Sequence, residues 1–215
     1  DGYAITNRHV VEDAWEFQNA RQLLREITES GSYDRVEPTI WVFFGEKQYN
    51  AEIVHVSQKY DLAILKIQNL EQAPHFALSS QVDDRELPRG HKVYVLGFPG
   101  AARTALSEQE LQVRHAQEEV GTLVSSKFAP ADFQYSQHDG SISKIAHRES
   151  VGTVVQHNAD INPGNSGGPL VTRDGRVFAI NTWTVQGASG IHFSVAIDQL
   201  RDEINQHINP PPIWK

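Results

Sequence analysis

The sequence predicts an all-β protein, a sandwich or a barrel, on three observations. Short apolar runs of strand length recur along most of the 215 residues, Gly, Asn and Asp turn residues separate them, and two stretches carry clear helical spacing. A hydrophobic fraction of 39% at this length suits one large domain or two small barrels packed together.

Residues 2–6 form a first short strand. The helix expected over 10–29 places Val10, Val11, Ala14, Trp15, Leu23, Leu24 and Ile27 on one stripe, with Asn7 as its N-cap and Gly31 as its stop. Residues 39–44 and 49–56 flank Gly45-Glu46-Lys47 as a hairpin. Residues 62–67 are almost wholly apolar, the signature of a strand buried on both faces. Further strands are expected at 91–97, 120–126, 151–156, 169–172, 176–184 and 191–197, the third-last and second-last of these joined through Asp174-Gly175. Residues 109–119 read as a short helix or a loop, and 129–148, polar and irregular, as a long surface insertion. A closing helix over 198–208 spaces Leu200, Ile204 and Ile208 four apart, and the tail 209–215, with three prolines, reads as a linker. The chain divides near 80–90 into halves 1–85 and 86–208.

Composition narrows the chemistry. A net charge of -8 with no basic stripe disfavours a nucleic-acid partner. The absence of cysteine excludes disulfides, thiolate ligands and a cysteine nucleophile. No His-Glu-x-x-His occurs, and the remaining histidines have no metal-ligand spacing, so no metal or cofactor is expected. Asp1-Gly2 runs straight into apolar Tyr3-Ala4-Ile5, which reads as a cut beginning.

Residues 162–170, Asn-Pro-Gly-Asn-Ser-Gly-Gly-Pro-Leu, raise the question of reactivity. Glycines around Ser166 permit a sharp turn, clear space for the hydroxyl and let backbone N–H groups converge on one point, which is how an oxyanion hole is built. The alternative is an ordinary turn-rich surface loop. A nucleophilic serine needs a base, and the base needs an orienting carboxylate. His9, in Thr-Asn-Arg-His-Val-Val, lies where a strand gives way to a helix, a rigid joint that leaves the ring edge exposed. Asp61, in Tyr-Asp-Leu-Ala-Ile-Leu-Lys-Ile, heads the most apolar strand, where a carboxylate has to be paired or pay a large desolvation penalty. Taken singly, the first is also a capping histidine and the second a turn aspartate. Together, in the order His9, Asp61, Ser166, they fit base, orienter and nucleophile.

These three segments resemble the signature segments of trypsin-like serine proteases, specifically the HtrA/Deg branch. The resemblance covers most of the chain. It implies two six-stranded antiparallel β-barrels with the site in the cleft between them, the first barrel lacking its N-terminal strand here. It implies His9 as general base, Asp61 as orienter, Ser166 as nucleophile, and an oxyanion hole from the backbone at Gly164, Asn165 and Ser166. It further implies polypeptide substrates, a role in protein quality control, a trimeric assembly, a location outside the cytoplasm such as a bacterial periplasm or envelope, and a regulatory domain that this stretch does not include. Residues 15–35 and 129–148 then count as insertions relative to the family.

By the same resemblance the first specificity pocket is built from Asp160, Ile161, Thr182, Trp183 and His192. Asp160, six residues before Ser166, has the spacing of a pocket floor that selects basic side chains, but a turn-capping role is favoured for it, with Ile161 as the wall. His192 stands where the family has a small residue, and pairing with Asp160 would narrow the pocket. A small aliphatic preference is expected. Two other readings stay in view. Gly164-x-Ser166-x-Gly168 fits the nucleophile elbow of α/β-hydrolases, but that motif runs into a helix, whereas Pro169 and a hairpin follow here. A catalytically latent trypsin-like scaffold that binds peptides is the other.

Overall fold

In a computed structural model, residues 2–16, 29, 40–45, 47–70, 73–98, 135–184 and 190–215 are described. Ten strands and two α-helices lie among them: β1 Tyr3–Thr6, α1 Arg8–Glu16, β2 Ile40–Phe44, β3 Lys47–Val56, β4 Ala63–Ile67, β5 Lys92–Gly97, β6 Ser136–Arg148, β7 Gly152–His157, β8 Pro169–Val171, β9 Val177–Thr184, β10 His192–Ala196 and α2 Arg201–His207, with a 3-10 turn at Asp198–Leu200 before α2. β1 to β4 form one antiparallel sheet in the order β1-β4-β3-β2. β5 to β10 close into a six-stranded barrel in the order β10-β7-β6-β5-β8-β9. Among the described residues no helix is long and apolar enough to cross a membrane.

The near-continuous apolar run of β4 is explained by where its two faces go. Leu62 and Ile64 join the core of the closed barrel, while Ala63, Leu65 and Ile67 pack into a second cluster with Val11 and Ala51. Leu62, Ala63 and Ile64 are fully buried, and each of the two larger side chains contributes about 1.5–3 kcal/mol by leaving water. β1 alternates likewise, with Tyr3 and Ile5 against the barrel core and Ala4 against the smaller cluster. The first sheet is thereby fastened to the barrel along β1 and β4. Those two strands lead to His9 and away from Asp61.

Three expectations need correction. The stretch read as an irregular insertion contains the longest described strand: β6 pairs with β5 through residues 136–141 and with β7 through 142–148, shifting register between Ile142 and Lys144. Few of its residues are apolar, because only part of one face reaches the core, at Gly140 and Ile142. A Cβ at Gly140 would run into the backbone of Ala159, so the glycine there permits strand-to-loop contact rather than a turn. The proline-rich tail is no free linker either. Leu78 exchanges two hydrogen bonds with it, donating its N–H to Ile213 O and accepting the N–H of Lys215, both at 2.8 Å. Trp214 Nε1–H donates to Asn205 at 2.9 Å. Finally, Asn7 does not cap α1 with its side chain, as shown below. Residues 17–28 of the first expected helix, the strand at 120–126, the segment 109–119 and the stop at Gly31 lie outside the described residues.

Candidate active site

Asp61 grips His9 at two points. Its Oδ1 accepts the backbone N–H of His9 at 3.0 Å, and its Oδ2 lies 2.8 Å from the ring Nδ1. The first bond satisfies one of the orphan N–H groups of the first helical turn, the task the sequence had given to Asn7, and a carboxylate there is also favoured by the helix dipole. The second fixes the imidazole's orientation and places its Nδ1 hydrogen, leaving Nε2 as the basic nitrogen. Burial pushes the Asp61 carboxyl up, but the hydrogen bonds from the ring and backbone of His9 and the charges of His9 and Arg8 outweigh it, so the group is held below the ordinary carboxylate value. It is an anion at neutral pH.

Ser166 is the second residue of the latter of two consecutive tight turns. Asn165 N–H donates to Asn162 O at 2.9 Å across Pro163-Gly164, with Gly164 at φ 99°. Pro second and a positive-φ Gly third is the type II pattern. Gly168 N–H then donates to Asn165 O at 3.0 Å across Ser166-Gly167, with Gly167 at φ 81°. Asn181 of β9 clamps the second turn from beneath: Gly167 N–H donates to its carbonyl and its own N–H donates to Gly168 O, both at 2.9 Å. Asn165 spends its N–H inside the first turn, and its fully buried side chain packs on Gly97. Of the three residues named for an oxyanion hole, it therefore braces the loop instead of facing a ligand.

The three candidate residues are joined through Asn7 and Thr182, to which the sequence reading gave no such role. Asn7 Nδ2 donates to the Asp61 carbonyl at 3.0 Å and to Thr182 Oγ1 at 3.3 Å. Ser166 Oγ donates to the Thr182 carbonyl at 3.3 Å. Gly167 is packed so closely on Thr6 and Asn7 that a Cβ would enter the Thr6 side chain. The loop of the closed barrel and the β1–α1 joint of the first sheet thus meet at Asn7, two residues before His9. Asn7 carried the wrong signal in the sequence, because a polar residue before a helix reads first as its cap.

A buried polar line supports this meeting point. Asn181 Nδ2 donates to Pro169 O at 3.1 Å, so its Oδ1 accepts the Ser194 hydroxyl at 3.0 Å. Ser194 has given away its only hydrogen and accepts from His157 Nε2–H at 2.9 Å. His157, Asn181 and Ser194 are fully buried. Burial, reinforced by His192, lowers the His157 pKa from 6.5 to about 4.

The expected pocket residues gather beside this line. Ile161 N–H donates to His192 Nδ1 at 3.4 Å, and His192 Nε2 is 3.3 Å from Asp160 Oδ1. Asp160 is 67% exposed while His192 is buried. Trp183 stacks on Phe193 with centroids 5.3 Å apart, and Arg148 covers the Phe193 ring at 4.6 Å. Among the described residues no group of three or more His, Cys, Asp and Glu side chains could hold a metal ion.

Comparison with known proteins agrees with this geometry. Residues 1–180 match the family model described as the trypsin-like peptidase domain. The chain is 29% identical over 206 residues to the mitochondrial serine protease HTRA2 of Bos taurus, covering 96% of this chain and 34% of that protein. It is 30% identical over 201 residues to serine protease HTRA1 of Xenopus laevis, covering 94% and 33%. It is 27% identical over 190 residues to a probable periplasmic DegP-like serine endoprotease of Chlamydia trachomatis, covering 88% and 28%. The chain thus spans about a third of the length of these curated relatives. In fold it resembles the active form of the Rv3671c protease of M. tuberculosis, with a TM-score of 0.63 at 18% identity over 99% of this chain and 72% of that one.

Proposed function

Given that the chain belongs to the trypsin-like peptidase family, we propose that it is a serine endopeptidase that hydrolyses peptide bonds in unfolded polypeptides through an acyl-enzyme. The observation that carries this reading is the two-point grip of Asp61 on His9, joined by way of Asn7 and Thr182 to the turn that presents Ser166.

In the resting arrangement the Ser166 hydroxyl hydrogen points to the Thr182 carbonyl. As a substrate carbonyl docks, that hydrogen turns to His9 Nε2, which accepts it while Oγ attacks the carbonyl carbon. The type II turn fixes the orientation of the peptide N–H at Gly164, and this group with that of Ser166 holds the developing oxyanion. His9 then protonates the leaving amine, and a water attacks the acyl-enzyme by the reverse path. Asp61, kept anionic, stabilises the imidazolium at each stage.

Asp160, Ile161, Thr182, Trp183 and His192 form the first specificity pocket in this reading. The exposure of Asp160 and its closeness to His192 speak against a buried floor that selects basic side chains. A histidine filling that wall leaves room for a small aliphatic residue. The relatives' names, mitochondrial in one case and periplasmic in another, support work outside the cytoplasm. Assembly into a trimer and control by a further domain complete the proposal. The test is incubation with a reduced, unfolded polypeptide, comparing the chain with Ser166→Ala. Fragments only with the unaltered chain are expected. No fragments with either, while the peptide still binds, would instead favour a latent peptide-binding scaffold.

A further inference from the structure

We propose that Glu203, on the C-terminal helix, is a positioning residue for the Asp61 loop. This rests on the reading of His9, Asp61 and Ser166 as catalytic. Asp61 lies in a tight loop closed by Ser57 N–H donating to Leu62 O at 3.0 Å. Inside that loop Ser57 Oγ accepts the N–H groups of Lys59 at 3.1 Å and Tyr60 at 2.9 Å. Outside it, the Ser57 carbonyl accepts Arg8 Nη1–H at 3.0 Å, tying the loop to the residue before His9.

A hydroxyl has one hydrogen and two lone pairs. Both lone pairs of Ser57 are engaged by the loop, so its hydrogen has one direction left, and Glu203 Oε1 stands there at 3.0 Å. Ser57 is fully buried, so an absent acceptor would leave either the hydroxyl or the loop N–H groups unsatisfied. The carboxylate is itself prevented from swinging. His55 Nε2 lies 2.8 Å from Glu203 Oε2, and the His55 ring is stacked on His207 with centroids 3.9 Å apart and planes 12° from parallel. Glu203 and His207 are four residues apart on one helical face, so the helix clamps His55 and Ser57 together. The path from the helix to the reacting base is therefore Glu203, Ser57, the 57–62 loop, Asp61 and His9. Each link is a hydrogen bond or a closed turn.

The test uses the full chain and four variants: Glu203→Ala, Glu203→Gln, Ser57→Ala and the Glu203→Ala/Ser57→Ala double variant. Two quantities are read well below the melting temperature: the rate of Ser166 labelling by a fluorophosphonate, and the His9 imidazole pKa by NMR. Glu203→Ala is expected to slow labelling about tenfold, as for loss of one charge-assisted hydrogen bond, and to lower the His9 pKa. Glu203→Gln, which keeps an acceptor oxygen, recovers most of the rate. Ser57→Ala matches Glu203→Ala, and the double variant is no slower, because the two act in series. An unchanged rate and His9 pKa in Glu203→Ala, with only a lower melting temperature, overturns the inference and leaves the peptidase reading intact. If the unaltered chain takes no label yet its His9 pKa still falls in Glu203→Ala, the peptidase reading fails and the positioning stands.

Discussion

Acid should weaken this fold through His157. The hydrogen-bond directions fix its state: Asn181 Nδ2 is given to Pro169, so Asn181 takes the Ser194 hydrogen, and Ser194 takes the His157 Nε2 hydrogen. The remaining ring nitrogen, Nδ1, is buried and makes no hydrogen bond of good geometry, and the Ala159 backbone, the one group that favours the charged ring, is outweighed by burial and His192. Protonating it places a charge in a dry site with the His192 ring centroid 6.0 Å away. These causes lower the His157 pKa from 6.5 to about 4. The folded value lies below the unfolded one, so the unfolded chain binds the proton first. The stabilising contribution is complete above pH 6.5 and is lost as pH falls toward 4. At 1.36 kcal/mol per unit, the loss between neutral pH and the lower value is roughly 3 kcal/mol. Urea denaturation at both pH values would measure it, with His157→Gln as the reference, since glutamine can donate to Ser194 without titrating. The unaltered chain should lose roughly 3 kcal/mol more than the variant. Parallel losses, within about 0.5 kcal/mol, would refute the account of a buried neutral imidazole.

Three further outcomes follow from the site. Gly167→Ala forces a side chain into a positive-φ position and into Thr6, costing about 2 kcal/mol or more, and should lower the melting temperature and abolish labelling of Ser166; a stable, labelled variant would contradict the packing at that turn. Asn7→Ala removes the bridge between Asp61 and Thr182 and should lower kcat about tenfold with little change in KM, read from peptide hydrolysis; an effect on KM alone would assign Asn7 to substrate binding. His192→Gly should open the first pocket, shifting cleavage of a peptide library from small aliphatic residues toward larger ones, and an unchanged profile would remove His192 from the pocket wall.

The candidate residues His9, Asp61 and Ser166 were legible in the sequence because each sits in an unusual local setting: a serine between glycines, an aspartate heading an apolar run, a histidine at a strand–helix joint. Most strands were legible for a similar reason, since β4 and β9 bury both faces and read as apolar runs. β6 was hidden because only part of one of its faces reaches the core, and Gly140 looks like a break when its task is close approach to Ala159. The roles of Asn7, Asn181, Ser57 and Glu203 were illegible for a different reason. Each acts on a partner brought close only by the fold, as with Asn7 and Thr182, 175 positions apart, or Ser57 and Glu203, 146 apart. Short polar side chains such as these carry no sequence pattern that tells a local cap from a long-range bridge. The tail 209–215 misled through its prolines, which end the helix but do not prevent backbone pairing with Leu78.

The central claim is that Ser166 is an activated nucleophile with His9 as its base. The most direct measurement is fluorophosphonate labelling of the chain beside Ser166→Ala and His9→Ala, with folding of all three verified by circular dichroism. Labelling of the unaltered chain that disappears in both variants is the result the account predicts. A folded chain that takes no label, or one that labels equally without His9, would contradict it.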